Sequence, residues 1–139
     1  MYLVQLIYAS RRTKEFKADD IGEVLHVSRE NNTKADVTGI LCMGRDIFLQ
    51  CLEGGRENVN EIYTRILRDD RHTDVVLLNY RDIMTRDFTQ WEMAYIPEAS
   101  ITRAIMLMHS SDPEFDPYAM SGESCRRLLL ALKEEVTTV

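Results

Sequence analysis

Polar side chains occupy several positions where the hydrophobic pattern of the chain calls for core residues. Gln50 and Tyr8 lie in the apolar rows of two strand-like runs. Ser28, Asn31 and Asn32 continue the apolar stripe of a predicted helix. Because a buried amide must find partners for its donors and its acceptor, these residues together would suit a flat heterocycle with alternating N–H and C=O groups. Asn is also common at helix ends, and backbone groups can satisfy a buried Gln, so a purely structural role stays open at this point.

Aliphatic and basic residues flank this polar set. Val24 on the first predicted helix and Ile66 on the second are placed to form the walls of such a site. Arg65, Arg71 and His72 lie near the end of the second helix, where basic side chains would hold a phosphate tail. We therefore expect a pocket for a planar ligand with an anionic tail between two helices and a sheet.

Composition and charge exclude several other classes of function. The 139 residues are enough for one domain, and their net charge is −6. A chain with more acidic than basic residues is poorly suited to bind nucleic acid or anionic lipid. No apolar run approaches the ~20 residues of a membrane span, and the N-terminus lacks the features of a signal peptide, so we expect a cytoplasmic protein.

Familiar catalytic and metal-binding signatures are absent from the sequence. The three cysteines and three histidines are scattered, without a CxxC or HxxxH pair, so we expect no metal site and no disulfide framework. The glycine motifs of dinucleotide-binding and phosphate-binding loops and the GxSxG motif of hydrolases do not occur. No motif therefore indicates an enzyme directly.

The elements that must position these residues alternate between strands and helices. Hydrophobic periodicity predicts strands at 3–8, 37–43, 47–53, 73–80 and 91–96, and helices from residue 21 and over 56–69. We expect Asp19 or Asp20 to cap the first helix, Gly44-Arg45-Asp46 to form a hairpin, and Gly54-Gly55 to end the third strand. This order predicts an α+β fold with a ferredoxin-like, five-stranded mixed sheet and two helices on one face. The first and third strands are neighbours in that fold, so the phenol and the buried amide would face the helices side by side.

The residues after Pro97 have a different pattern. Amphipathic stretches at 100–109 and 121–136 predict two further helices, the second capped by Ser121. The apolar positions of the second of these helices are Cys125, Leu128, Leu129 and Leu132. We expect the two helices to cover the far face of the sheet or to pack on a partner. The chain is accordingly divided into a domain at 1–97 and a helical extension at 98–139.

Short motifs over residues 1–97 follow one another in a familiar order. They are LVQLIY at 3–8, NN at 31–32, VTGIL at 37–41, FLQCLEG at 48–54, RHT at 71–73 and WEM at 91–93. At this spacing they resemble the motifs of the BLUF domain, a family of blue-light sensors that use flavin. The part after residue 97 is similar to short, stand-alone members of that family, in which two helices follow the sensor domain.

The resemblance implies a flavin held non-covalently between the two helices, FAD with FMN or riboflavin as alternatives. Asn31 and Asn32 would hydrogen-bond its uracil-like edge, with Ser28 nearby. Val24 and Ile66 would enclose the ring. The residues expected to bind the flavin, from the ring to the ribityl and phosphate end, are Tyr8, Val24, Ser28, Asn31, Asn32, Gln50, Arg65, Ile66, Asp69, Arg71, His72 and Met93.

The resemblance also implies a light reaction. Tyr8 would give up an electron and, through Gln50, a proton, which would leave Gln50 rotated or tautomerised and shift the absorption to the red. Trp91 and Met93 share a strand face and would compete for the space beside Gln50, with Met93 nearer the flavin in the dark. The signal would pass through the last strand and the C-terminal helices to a downstream partner protein, and we expect a homo-oligomer.

Two other hypotheses stay open on the sequence alone. An enzyme on the same fold, either an acylphosphatase or a flavin oxidoreductase, would need an anion-binding loop or an open substrate face. The Ala9-Ser10-Arg11-Arg12 segment is a faint candidate for such a loop. A colourless interaction module would instead use the C-terminal helices as its working surface. Of the three, we expect a photoreceptor and not an enzyme.

Overall fold

The computed structural model describes residues 2–17, 19–89 and 93–135. Its strands are β1 (Leu3–Arg12), β2 (Thr38–Met43), β3 (Ile47–Gly55), β4 (His72–Asp82) and β5 (Ala94–Ile96). Its helices are α1 (Asp20–Ala35), α2 (Arg56–Arg68), α3 (Arg103–His109) and α4 (Gly122–Leu132), and short 3-10 turns lie at Glu98–Ser100, Pro117–Ala119 and Lys133–Glu135. The elements follow one another in the predicted order.

The five strands form one sheet in the order β4-β1-β3-β2-β5. β1 pairs antiparallel with β3 and β4, β2 pairs antiparallel with β3, and β5 joins β2 in parallel. This arrangement confirms the predicted α+β, ferredoxin-like mixed sheet and the hairpin between β2 and β3. Because β1 and β3 are central neighbours, Tyr8 lies directly opposite Gln50 in their register.

Different pairs of helices cover the two faces of the sheet. On the near face, Leu25 of α1 and Val59 of α2 pack in one core with Leu52 of β3. On the far face, Leu129 of α4 packs in a second core with Cys51 of β3. The C-terminal helices therefore cover the far face, which was one of the two predicted placements. β3 contributes buried side chains to both cores, which fixes its register.

The strand boundaries differ from the predicted ones where pairing overrides local turn signals. β1 continues to Arg12 instead of ending at Tyr8, because its last residues pair with Ile47 on one side and His72 on the other. β3 runs to Gly55, and α2 begins at the next residue, so the two glycines do not end the strand early. Strand formation thus depends more on the neighbouring strands than on the residues' own preferences.

The first helix also differs from prediction at both ends. α1 begins at Asp20, and the preceding Asp19 makes no side-chain cap hydrogen bond. The helix continues to Ala35, so the alternative that Asn31-Asn32 mark its end is wrong. It ends at Asp36, which adopts the left-handed conformation with φ 53°. The backbone N–H of Asp36 then satisfies carbonyl groups of the last turn.

The C-terminal helices are shorter than predicted but are built as expected. The Ser121 side chain caps α4 by accepting a hydrogen bond from the Ser124 backbone N–H at 3.0 Å. The buried residues of α4 are Cys125, Leu128, Leu129 and Leu132, the predicted apolar stripe. Among the helices of the described residues, none has the length and apolar character needed to cross a membrane.

We predict that Gly39→Ala destabilises the fold whereas Gly22→Ala does not. A Cβ at Gly39 of β2 would overlap the backbone carbonyl oxygen of Cys51 and come within 3.2 Å of Met93 Cε, so β2 and β3 would have to separate. We expect a loss of about 1–3 kcal/mol in the free energy of unfolding. A Cβ at Gly22 of α1 meets nothing within 4 Å, so this control should gain about 0.5–1 kcal/mol. Denaturant titrations of both variants check the result, and a stable Gly39→Ala protein would contradict the close approach.

Candidate ligand site between two helices and the sheet

A cavity of about 210 Å³ lies between α1, α2 and the near face of the sheet. Every residue that was expected to bind a flavin lines it: Tyr8, Val24, Ser28, Asn31, Asn32, Gln50, Arg65, Ile66, Asp69, Arg71, His72 and Met93. The fold thus brings together residues from α1 and α2, from the strands β1, β3 and β4, and from the position just before β5.

The floor of the cavity carries a short chain of hydrogen bonds. The Tyr8 hydroxyl donates to Gln50 Oε1. The Gln50 amide in turn donates from Nε2 to Met93 Sδ at 3.4 Å. All three side chains are buried. The partners of the amide fix its orientation, with the oxygen toward the phenol and the nitrogen toward the thioether.

The environment of Tyr8 keeps its phenol neutral. Burial raises the pKa of Tyr8 far above the ordinary value for a phenol, and the nearby Tyr63 and Asp69 raise it further. The ring centroids of Tyr8 and Tyr63 are 5.5 Å apart. The Tyr8 hydroxyl is therefore held as a hydrogen-bond donor, which is the role it has toward the Gln50 oxygen.

One face of α1 forms a wall of the cavity that contains both apolar and polar side chains. Val24, Ser28 and Asn31 succeed one another at helical spacing along this face, and all three line the cavity. Asn32 lines it as well and is buried, with only 1% of its surface exposed. The apolar residue and the amides lie on the same side of the cavity, so a planar ligand would meet hydrogen-bonding groups at one edge.

The basic residues at the other end already have partners. Arg71 Nη2 lies 2.7 Å from Asp69 Oδ2, and hydrogen bonds from Arg71 hold the pKa of the Asp69 carboxyl below its ordinary value. Arg65 Nη2 lies 2.6 Å from Glu61 Oε1 at the surface. An anionic tail would therefore compete with these carboxylates for the arginines.

His72 joins three elements at the edge of the cavity. Its Nε2 lies 2.6 Å from the carbonyl oxygen of Ile66, which only accepts hydrogen bonds, so Nε2 must carry the proton. Its Nδ1 lies 3.0 Å from the Ser10 hydroxyl of β1. The imidazole ring thus ties the start of β4 to the last turn of α2, and its centroid is 6.5 Å from that of Tyr8.

Several aromatic and aliphatic residues of the cavity were not identified from the sequence. They are Phe16, Val27, Leu41, Phe48, Leu52 and Ile62. Strand alternation places Phe48 on the same face of the strand as Gln50, so its position beside the cavity could have been predicted. Phe16 lies between β1 and α1, outside any period, yet it packs edge-on against Phe48 with centroids 5.2 Å apart. No sequence pattern would have brought it to the cavity.

Two further predictions concern Trp91 and the Arg11-Arg12 segment. Trp91 falls outside the described residues, so its expected place beside Gln50 stays a prediction. Arg11 and Arg12 belong to β1 and not to an anion-binding loop, and they lie 3.9 Å and 3.0 Å from carboxylates of Asp74 and Asp46. These pairs weaken the acylphosphatase hypothesis. Among the described residues, no cluster of His, Cys, Asp and Glu is arranged to hold a metal ion.

The donor set and the walls fit a flavin. Its uracil-like edge alternates N–H and C=O groups, and the amides of Asn31, Asn32 and Gln50 can match either kind. The aliphatic side chains of Val24 and Ile66 offer the apolar surface that the ring system needs. The geometry is therefore that of a site for a flat, amide-like heterocycle.

Comparison with known proteins decides the family. A model of the family described as sensors of blue light using FAD, the BLUF family, matches residues 3–94. The chain belongs to the BLUF family. BLUF domains are flavin-binding blue-light sensors, so the cavity lies in a domain whose ligand class is flavin.

Two relatives of this chain are much longer than the chain itself. The blue light- and temperature-regulated antirepressor BluF of Escherichia coli (strain K12) is 38% identical over 76 residues, 55% of this chain and 19% of that protein. The photoactivated adenylate cyclase subunit beta of Euglena longa is 29% identical over 97 residues, 69% of this chain and 11% of that protein. This chain thus spans less than a fifth of either relative.

A solved BLUF structure extends the likeness to the whole chain. BlsA in its photo-activated state superposes with a TM-score of 0.88 at 27% identity, over 99% of both chains. The similarity includes α3 and α4, which lie beyond the matched BLUF residues. The resemblance to short BLUF proteins with two C-terminal helices is therefore confirmed.

Proposed function

We propose that this chain is a blue-light photoreceptor whose signal originates at Tyr8 and Gln50. The observation that carries the proposal is the hydrogen bond from the Tyr8 hydroxyl to the buried Gln50 oxygen, on the floor of a cavity walled by amides and aliphatic residues. FAD is the expected flavin, with FMN or riboflavin as alternatives. Asn31 and Asn32 bind its uracil-like edge, and Val24 and Ile66 enclose the ring.

The photoreaction uses the phenol as donor of both an electron and a proton. A bound flavin supplies the absorption of blue light and, when excited, a strong oxidant. Tyr8 would then give up an electron to that oxidant, and its phenolic proton would pass to Gln50 Oε1 along the existing hydrogen bond as the amide releases a proton from Nε2 to the same oxidant. When the electron and proton return to Tyr8, Gln50 is left rotated or tautomerised. The protein would form no covalent bond to the flavin, and at most one proton of Gln50 would change its place, so the dark arrangement returns thermally.

Rotation of Gln50 has a direct consequence for Met93. In the present orientation, Gln50 Nε2 donates to Met93 Sδ. After a half-turn of the amide, its oxygen faces a thioether sulfur, which accepts hydrogen bonds but cannot donate one. The hydrogen bond between Gln50 and Met93 is lost. The buried Gln50 oxygen then faces no donor at the sulfur, and such an unsatisfied group destabilises the folded protein. Met93 therefore leaves its place, and Trp91 is the residue expected to compete for it.

The displacement of Met93 passes the signal out of the cavity. Met93 directly precedes β5, which is three residues long and, among the described strands, pairs with β2 alone. We assign the sensor role to residues 1–97 and the output role to the extension at 98–139, which acts on a downstream protein or through homo-oligomer assembly. This chain carries the signal and not an enzymatic activity.

An absorption spectrum before and after blue illumination tests the proposed function. We expect the purified protein to be yellow, to shift its visible absorption to the red under blue light, and to relax in darkness. A colourless protein after gentle purification would favour the interaction module instead. Steady turnover of acyl phosphate or reduced nicotinamide would favour an enzyme.

The pH dependence of the photoreaction follows from the raised pKa of Tyr8. Burial favours the neutral phenol, so Tyr8 keeps its proton at pH values where a free tyrosine, with a pKa of about 10, has lost it. We expect the amplitude of the red shift to stay constant from neutral pH to beyond roughly pH 10 while the protein is folded. Difference spectra at each pH, with near-ultraviolet circular dichroism to monitor folding, check this. Loss of amplitude with a midpoint near that of free tyrosine would contradict it.

A further inference from the structure

The loop after β4, described over residues 83–89, is anchored to the sheet by a buried carboxyl group. Glu53 at the end of β3 is fully buried and faces away from the cavity. Its oxygens accept hydrogen bonds from the backbone N–H groups of Asp87 at 2.9 Å and Phe88 at 2.8 Å, and from Gln5 Nε2 at 2.8 Å. The loop backbone therefore cannot move at this point without breaking bonds to a buried charge.

The side chain of Asp87 connects the same loop to α4. Asp87 Oδ2 lies 2.8 Å from Gln5 Nε2, 3.2 Å from Arg126 Nε and 3.8 Å from Arg81 Nη2. The side chains of Arg126 and Asp87 are 20% and 23% exposed, so solvent screens their attraction less than that of a surface pair. Lys133 adds a bond from Nζ to the Asp87 carbonyl oxygen at 3.1 Å.

The next residue of the loop is part of the far-face core. Phe88 is completely buried and packs in the cluster that includes Leu128, Leu129 and Leu132 of α4. The loop and α4 are thus joined by an ion pair and by apolar packing at adjacent residues. A displacement of this part of the loop therefore changes the contacts that hold α4 on the sheet.

Met93, which directly precedes β5, lies in the cavity. Met93 accepts the hydrogen bond from Gln50 at its sulfur, and its carbonyl oxygen accepts one from Arg29 Nε at 3.1 Å. From Asp87 to Met93 the chain advances six residues, which span at most roughly 20 Å when extended. A short segment therefore links the group that responds to Gln50 with the group that holds α4.

We propose that Asp87 and Arg126 are positioning residues that couple the state of Gln50 to α4, a role that rests on the proposed function. Movement of Met93 strains the hydrogen bonds that hold the loop backbone at Glu53, and it loosens the contact between the Asp87 side chain and Arg126. Arg126 has a second partner, because its Nη1 lies 3.0 Å from Glu123 Oε1 on the same helix. The guanidinium can pass from Asp87 to Glu123 without being left unpaired, so the contact can open and close reversibly.

Arg126→Gln tests the coupling, with Arg127→Gln as its matched control. Arg127 Nε lies 3.2 Å from Glu123 Oε1, so both arginines pair with Glu123, but of these two arginines Arg126 alone has a described contact with Asp87. The measurement is amide hydrogen exchange of α4 in the flavin-loaded full chain, in darkness and under continuous blue light. Visible spectra of the same samples report the photoreaction.

In the wild type and in Arg127→Gln, we expect light to accelerate exchange in α4. In Arg126→Gln, we expect the visible red shift to be retained while α4 already exchanges roughly tenfold faster in darkness and gains little from light. Asp87→Asn, which keeps the size of the side chain and removes its charge, is expected to behave in the same way and serves if Arg126→Gln does not fold.

Two results would overturn the coupling. One is a full light response of α4 in Arg126→Gln or Asp87→Asn, and the other is equal behaviour of Arg126→Gln and Arg127→Gln in darkness. A wild-type protein without any red shift would overturn the proposed function instead. In that case the comparison of the two arginine variants in darkness would still decide whether Arg126 holds α4 to the loop.

Discussion

Replacement of Gln50 by leucine is expected to leave the flavin bound and to abolish the light-induced red shift. Leucine nearly preserves the volume and adds no clash, so the cavity keeps its walls. The substitution removes both the acceptor of the Tyr8 hydroxyl and the donor to Met93 Sδ. Without an amide that can exchange partners, illumination has no hydrogen-bond pattern to switch. Difference spectra should fall from a full red shift to the baseline.

A control on the same strand separates this effect from a general disturbance of the cavity. Phe48 lines the cavity on the same face of β3 as Gln50 but takes no part in the hydrogen bonds of its floor. Phe48→Leu should therefore bind flavin and retain the red shift. A reversible shift of normal size in Gln50→Leu would refute the assigned role of the amide.

Replacement of Tyr8 by phenylalanine is the second change with a large expected effect. Only the hydroxyl is lost, so the ring keeps its contact with Tyr63 and the flavin should remain bound. Gln50 Oε1 loses its donor, and a buried acceptor without a partner destabilises the protein by about 1–3 kcal/mol. The donor of the electron and proton is also lost, so we expect no red shift under illumination that saturates the wild type.

Tyr63→Phe is the matched control for Tyr8→Phe. The two rings are neighbours, with centroids 5.5 Å apart, and only the hydroxyl of Tyr8 donates to Gln50 among the described contacts. Transient absorption and steady-state spectra of both variants compare the two phenols directly. A red shift that survives in Tyr8→Phe but disappears in Tyr63→Phe would reassign the donor to Tyr63.

The centre of the site can be predicted from the sequence because it depends on three simple features. These are the alternation of side chains along a strand, the spacing of side chains along a helix, and the order of the elements. Strand alternation places Tyr8 and Gln50 on one face each, and the order of elements makes their strands neighbours. Helical spacing places Ser28, Asn31 and Asn32 on one side of α1. These relations depend on strand and helix periodicity and on the order of the elements, so they hold although several element boundaries were predicted wrongly.

The contacts that sequence reasoning missed depend on tertiary placement. Phe16 reaches the cavity from a loop without any period, and Asp87 meets Arg126 across 39 positions of chain. The partners of Arg65 and Arg71 follow from the directions of individual side chains. Glu53 is buried at the end of a strand, where composition would favour exposure of a carboxylate. The spacing of residues along the chain predicts none of these contacts, nor the burial of Glu53.

The buried strand β3 carries Gln50 toward the cavity and Glu53 toward the opposite core, three positions apart. Since successive side chains of a strand alternate between its faces, this separation must be odd for both to reach their partners. Deletion or insertion of a single residue between them, without a β-bulge to absorb it, would point one of the two side chains to the wrong face of the sheet. The length of this stretch should therefore be far less tolerant of change than the identity of the residues within it.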